Sequence, residues 1–117
     1  MPRYVLLHHT GHPAKQDHFD LMLEYEGKLR TWVVDDVEVS NGRAVQSFDH
    51  RLAYVTHEGS VSGGRGEVRR VAGGEFGVIE WQERRIRIKM GDRIVTLTTD
   101  QAPGDGTAWA VTREAAP

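Results

Sequence analysis

"DHFDLMLEYEGKLRTW", residues 17–32, decides how this chain folds. Side chains on a strand alternate between two faces, so Phe19, Leu21, Leu23 and Tyr25 share one side. His18, Asp20, Met22 and Glu24 share the other. Glu26-Gly27 follows, and Lys28 opens a second alternating run that reaches Val34. Two such runs separated by a glycine-containing pair read as a β-hairpin. Working outward, further alternating runs fall at residues 3–9, 36–40, 51–57, 66–71, 76–82, 84–90, 93–98 and 107–113. Between them stand Asn41-Gly42, Ser62-Gly63-Gly64, Ala72-Gly73-Gly74, Gly91-Asp92 and "PGDG" at 103–106. Primed hairpin turns need positive φ, which Asn and Gly supply. No segment sustains a 3.6-residue period over three turns. Many short strands at this spacing predict a mostly β fold, a compact antiparallel β-barrel forming a single domain over 1–117. One or two short helices are expected, near 13–17 or within 49–57.

The 117 residues (13.2 kDa) suffice for a core without covalent staples. The absence of cysteine excludes disulfides and thiolate metal sites, and suits a reducing compartment. No apolar run approaches the roughly 18 residues of a membrane span, and the start lacks a signal-peptide pattern. A soluble, cytoplasmic protein without membrane contact is the expectation. The net charge of −2 is unevenly spread. Residues 51–93 hold nine Lys or Arg against six Asp or Glu, while 1–50 hold five against eight. That middle segment is compatible with a polyanionic partner, but it falls short of the basic stripe of a duplex-DNA binder.

All six histidines lie within positions 8–57. His18 and Asp20 are two apart on one strand face, so an imidazole and a carboxylate can converge on one point above the sheet. By itself such a pair also fits an ordinary solvent-facing polar face. His8, His9 and His12 end the first run, and if that strand pairs with 18–25, His9 or His12 can supply a third ligand. Two histidines and one carboxylate leave positions open for water and substrate, as catalytic sites do. His50 and Tyr54, four apart, form a second group, with His57 and Glu58 after them. A histidine near a metal can bind an oxyanion or protonate a leaving group. The glycine-rich run 58–68 brings Arg65 out on a turn. Such a loop can approach a phosphate backbone closely, but on glycine content alone a plain hairpin is the favoured reading.

Together these stretches resemble the 3′-phosphoesterase domain of bacterial DNA ligase D. The resemblance rests on "HFDLMLE" at 18–24, "GKLRTW" at 27–32, "HRLAYVTHEGSVSGGRGEV" at 50–68 and "TAWAVTR" at 107–113. It implies a β-barrel and a metal-dependent phosphoesterase, usually using Mn²⁺, with Zn²⁺, Co²⁺ or Ni²⁺ as alternatives. Its activity would be 3′-end processing in DNA repair: removal of a terminal ribonucleoside from DNA or RNA 3′ ends, then of the remaining 3′-phosphate. A separate ligase or polymerase would be a possible partner. By position, His18 and Asp20 match metal ligands, and His50 and Tyr54 match the catalytic histidine and tyrosine. Counting six residues back from His18 makes His12 the first ligand; counting along the first strand makes it His9, with a three-residue insertion in the loop after it. Met22 stands where the family has a phosphate-binding arginine, and Asp36 falls near a family lysine. No counterpart of an N-terminal extension of ligase D is expected. Arg43, Arg51 and Arg65 are the candidate substitutes for phosphate binding, and Glu24 is the candidate to orient a ligand histidine. Because of Met22 and Asp36, the alternative is a catalytically impaired module that binds phosphate or nucleic-acid ends.

Overall fold

His18–Tyr25 and Lys28–Val34 form the expected hairpin, β2 and β3, in a computed structural model that describes residues 1–36, 39 and 42–117. Tyr25 pairs with Lys28, leaving a two-residue turn in which Glu26 and Gly27 both have positive φ, 53° and 80°. That is the primed geometry matching the right-handed twist of the strands. Before the hairpin comes β1, Arg3–Thr10. After it come β4 (Gly42–His50), β5 (Gly59–Ser60) and β6 (Glu67–Gln82). Then follow β7 (Arg85–Met90), β8 (Arg93–Thr98) and β9 (Ala108–Ala115). All pairings are antiparallel, in the order β1-β2-β3-β4-β9-β8-β7-β6-β5, and β6 also pairs with β1. The sheet therefore closes into a ring, as the strand pattern predicts. No helix among the described residues is long and apolar enough to cross a membrane.

Three expected elements need correction. Residues 51–57 are not a strand: Leu52–Val55 form a 3₁₀ turn, within the span that admitted a helix, whereas 13–17 holds none. The strand lies earlier, at Gly42–His50. The runs at 66–71 and 76–82 belong to one long strand, and Gly73 and Gly74 lie inside it rather than in a turn. The Arg70 guanidinium lies over Gly73, in the space where a Cβ would sit. The expected strand 36–40 falls mostly outside the described residues.

The ring encloses the main core, which includes Leu21, Leu23, Trp32, Phe76, Ile88 and Leu97. The inward face of β2 thus carries its apolar residues, and Tyr25 at its end stacks on Trp81 at 3.9 Å. The opposite face of β1, β2, β3 and β6 carries a second cluster: Val5, Leu7, Met22, Leu29 and Val68, capped by Val55 and Val61. Burying side chains of this size is worth about 1.5–3 kcal/mol each. That burial clamps the 3₁₀ turn and the loop after β5 onto the sheet, walling off a cavity beside the cluster.

Candidate metal centre

Cross-strand pairing builds the site. His9 on β1 lies directly opposite His18 on β2, and Asp20 follows two residues along the same face. One ligand atom from each of His9, His18 and Asp20 lies within 4.8 Å of the others. His18 Nε2 stands 3.3 Å from Asp20 Oδ1, and His9 Nδ1 stands 3.6 Å from Asp20 Oδ2. Donors that share an ion through bonds of about 2.1 Å are expected about 3.0–3.5 Å apart, so the His18–Asp20 spacing fits and His9 stands just outside it.

The ring tautomers fit as well. His9 Nε2 is 2.7 Å from the Arg65 carbonyl oxygen, and His18 Nδ1 is 2.9 Å from that of Gln16. A carbonyl only accepts, so these two nitrogens carry the protons. In the neutral rings that a metal requires, His9 Nδ1 and His18 Nε2 are thereby left bare, and both are the nitrogens that face Asp20. Backbone carbonyls that fix the outer nitrogen of a ligand histidine are a recurrent feature of metal sites. Glu24 does not take that role; its carboxylate accepts from Arg3 N at 2.9 Å and Arg3 Nε at 3.4 Å. His8 faces the other way and stacks on Phe19, as alternation requires. His12 lies edge-on to His9 at 5.7 Å and accepts a hydrogen bond from the Ala14 N–H, outside the three-residue group. Slight desolvation and the Lys15 charge hold its pKa below the usual 6.5.

Asp20 and Thr31 are the buried polar side chains among the described residues, 6% and 1% exposed. Both belong to this face. A buried carboxylate needs a cation, and without a metal protonated His18 supplies it. The Asp20 hydrogen bond outweighs partial burial and raises the His18 pKa above 6.5.

The Arg65 carbonyl reaches His9 because the loop after β5 comes down on the end of β1. Gly66 makes that approach possible: its φ is +83°, and a Cβ there would collide with the Thr10 carbonyl oxygen. Gly66→Ala should therefore displace the Arg65 carbonyl and free the His9 ring. We expect divalent-cation affinity to fall about 10- to 100-fold, as for other losses of ligand-orienting groups, measured by calorimetric titration.

The centre opens into a cavity of about 290 Å³. His50, Tyr54, Arg51 and Arg65 line it, as does His12, so the structure brings these sequence candidates to one place. Arg43 is not among them. It lies seven residues from His50 on an extended strand, about 23 Å at 3.3 Å per residue, and borders a separate depression with Asp35 and Asp36. His57 contacts the Ser60 carbonyl oxygen at 3.1 Å and lies edge-on to Tyr54. Met22 forms part of the cavity floor with Val33, Val61 and Val68.

His50 owes its aim to a β-bulge. Thr31 pairs with Ser47 but Leu29 pairs with His50, so β4 holds one extra residue there. The extra residue shifts the parity and turns His50 to the same side as Thr31. Thr31 Oγ1 donates to the Leu29 carbonyl at 3.1 Å and lies 2.9 Å from His50 Nδ1. A hydroxyl has one proton, so His50 Nδ1–H donates to Oγ1 and Nε2 stays bare. Burial lowers the His50 pKa below 6.5, keeping the ring neutral at neutral pH. Tyr54 packs edge-on against it at 5.3 Å. Thr31→Val would leave Nδ1–H without this acceptor in a mostly buried place, a loss of about 1–3 kcal/mol. A melting temperature lower by several degrees, with unchanged metal affinity, is the expected outcome in thermal unfolding.

Sequence reading missed Thr31, Lys15 and Phe48, all of which contribute here. Lys15 and Phe48 line the cavity. Alternation along "KLRTW" already places Thr31 on the Leu29 face, opposite Trp32, and that was the available signal.

No match is found among curated proteins. The family model for the DNA ligase D 3′-phosphoesterase domain matches residues 10–113, spanning all the site residues above except His9, whose place rests on its pairing with His18. A closed antiparallel sheet, a His-His-Asp group on its outer face and a match over nearly the whole chain agree. This chain belongs to the DNA ligase D 3′-phosphoesterase domain family.

Proposed function

We propose that the protein processes 3′ ends in DNA repair as a metal-dependent phosphodiesterase, removing a 3′-terminal nucleoside and leaving a 3′-phosphate. The observation that carries this reading is the pair of imidazoles whose outer nitrogens lie on backbone carbonyls and whose inner nitrogens face the buried Asp20 carboxylate. His9, His18 and Asp20 would hold one divalent cation, Mn²⁺ by family likeness, which supplies Lewis-acid polarisation of a phosphate oxygen.

The chain's own groups do the rest. Arg51 has no side-chain partner among the described residues and is available to the phosphate; Lys15 and Arg65 add positive charge at the same rim. The Arg65 guanidinium is held by Ser62, through its carbonyl at 2.7 Å and its hydroxyl at 3.1 Å, which fixes its position. His50 begins neutral with Nε2 bare, so it accepts the proton of an attacking water. The nucleoside 5′-oxygen leaves on the opposite side of phosphorus, beyond this ring's reach, and takes its proton from solvent, to which His50 gives up the proton it accepted. Water and diester thus give nucleoside and 3′-phosphate, with His50 restored.

The test is incubation with Mn²⁺ and a primer–template ending in one ribonucleotide. Loss of the terminal nucleoside is expected, abolished by EDTA and by His18→Ala. One observation favours a second reading, a binding module without catalysis: Met22, 1% exposed in an apolar cluster, cannot donate to an anion. Bound metal with no trimming of any 3′ end would select that reading.

A further inference from the structure

Phe48 is 52% exposed and lines the cavity beside the metal ligands. The other exposed large apolar side chains among the described residues, Met1, Val71, Val78 and Ile79, lie outside that cavity. The β4 bulge places Phe48 and His50 together, with ring centroids 4.6 Å apart and planes 27° from parallel. One face of the phenyl ring is thus covered by His50, and the exposure belongs to the rest of it. Lys15, Arg51 and Arg65 border the same opening. An open aromatic face next to cations suits a ligand that is flat and apolar on one side and anionic on the other. A nucleotide has that form. Aromatic side chains hold single-stranded bases by stacking, without regard to sequence, because every base has a π-face. A wholly apolar partner would gain nothing from the three cations.

We propose that Phe48 is the stacking platform for the base of the 3′-terminal nucleotide, so that the site selects phosphodiester ends carrying a terminal base over abasic ones. The inference rests on the 3′-end reading above and deepens it. Stacking adds to binding of the terminal nucleoside and is indifferent to which base it is.

The experiment compares wild type, Phe48→Ala and Phe48→Trp, with Mn²⁺, on primers ending in adenosine or in an abasic ribose at the same position. Wild type should prefer the adenosine end about tenfold in kcat/KM, mainly through KM. The preference should collapse towards one in Phe48→Ala and return in Phe48→Trp. A preference that survives in Phe48→Ala, or is missing in wild type, overturns the proposal. So does equal loss on both ends, which would mean that Phe48 only props His50. If wild type trims neither end, the 3′-end reading fails, and a second measurement decides stacking separately. A primer with terminal 2-aminopurine should lose fluorescence on binding wild type and Phe48→Trp but not Phe48→Ala; equal quenching by all three overturns the stacking role.

Discussion

Asp20→Asn is expected to abolish tight divalent-cation binding and to lower 3′-end trimming about 10³-fold or more. Asparagine keeps the volume and one oxygen, so packing on the β2 face should survive. What disappears is the negative charge that both imidazoles face. Lewis-acid assistance is worth several kcal/mol, and each 1.36 kcal/mol is tenfold in rate. The substitution carries a second signature that does not depend on catalysis. The hydrogen bond to Asp20 is the main cause of the raised His18 pKa, so Asp20→Asn should bring that pKa down. Proton NMR titration of the metal-free protein reads this directly.

The pH dependence of metal binding follows from the same coupling. A cation needs His18 Nε2 unprotonated, and the folded, metal-free protein keeps the proton to a pH above 6.5. Metal affinity should therefore rise with pH through that raised value and weaken below it. Stability of the metal-free fold runs the other way. The His18–Asp20 contribution is fully present below pH 6.5 and is lost as pH climbs through the raised pKa.

His50→Ala is expected to reduce kcat about 10²- to 10⁴-fold, the usual range for a positioned acid–base group, while leaving metal affinity nearly unchanged. The imidazole is outside the ligand group, held by Thr31 on β3, so its removal should not disturb the ion. Its pKa is depressed by burial, and as a proton acceptor it works only when neutral. With Mn²⁺ held saturating across the pH range, the acidic limb of the wild-type profile should accordingly fall below pH 6.5, and the variant should lose that limb. An acidic limb above pH 6.5 would instead assign the titration to His18 and metal loss.

The parts of the site legible in the sequence are those governed by strand alternation. Period two along 18–25 separates core from ligand face, and it also places His9 rather than His8 on that face. β4 was less legible for a physical reason. Its inward side carries the half-buried Gln46, whose amide oxygen accepts from the Trp109 indole N–H and the Gly104 N–H, both at 3.0 Å, so a polar residue interrupts the apolar alternation. The bulge then breaks the parity between Ser47 and His50, and no pattern in "QSFDHR" signals it. Arg43 is a phosphate-binding candidate by its interval from His50 in the chain, but an extended strand separates the two. The orienting groups are backbone carbonyls of Gln16 and Arg65, which have no signature in residue type. Only the Gly66 contact, fifty-six residues beyond Thr10 in sequence, brings the second of them to His9.

Two imidazoles and a carboxylate closing on one cation is the claim from which the rest descends, and a crystal soaked in Mn²⁺ tests it most directly. Anomalous density should appear bonded to His9 Nδ1, His18 Nε2 and an Asp20 carboxylate oxygen, at about 2.0–2.2 Å as is usual for such ligands. Density held by His12 in place of His9, or none at this site while the ion binds elsewhere, would contradict it.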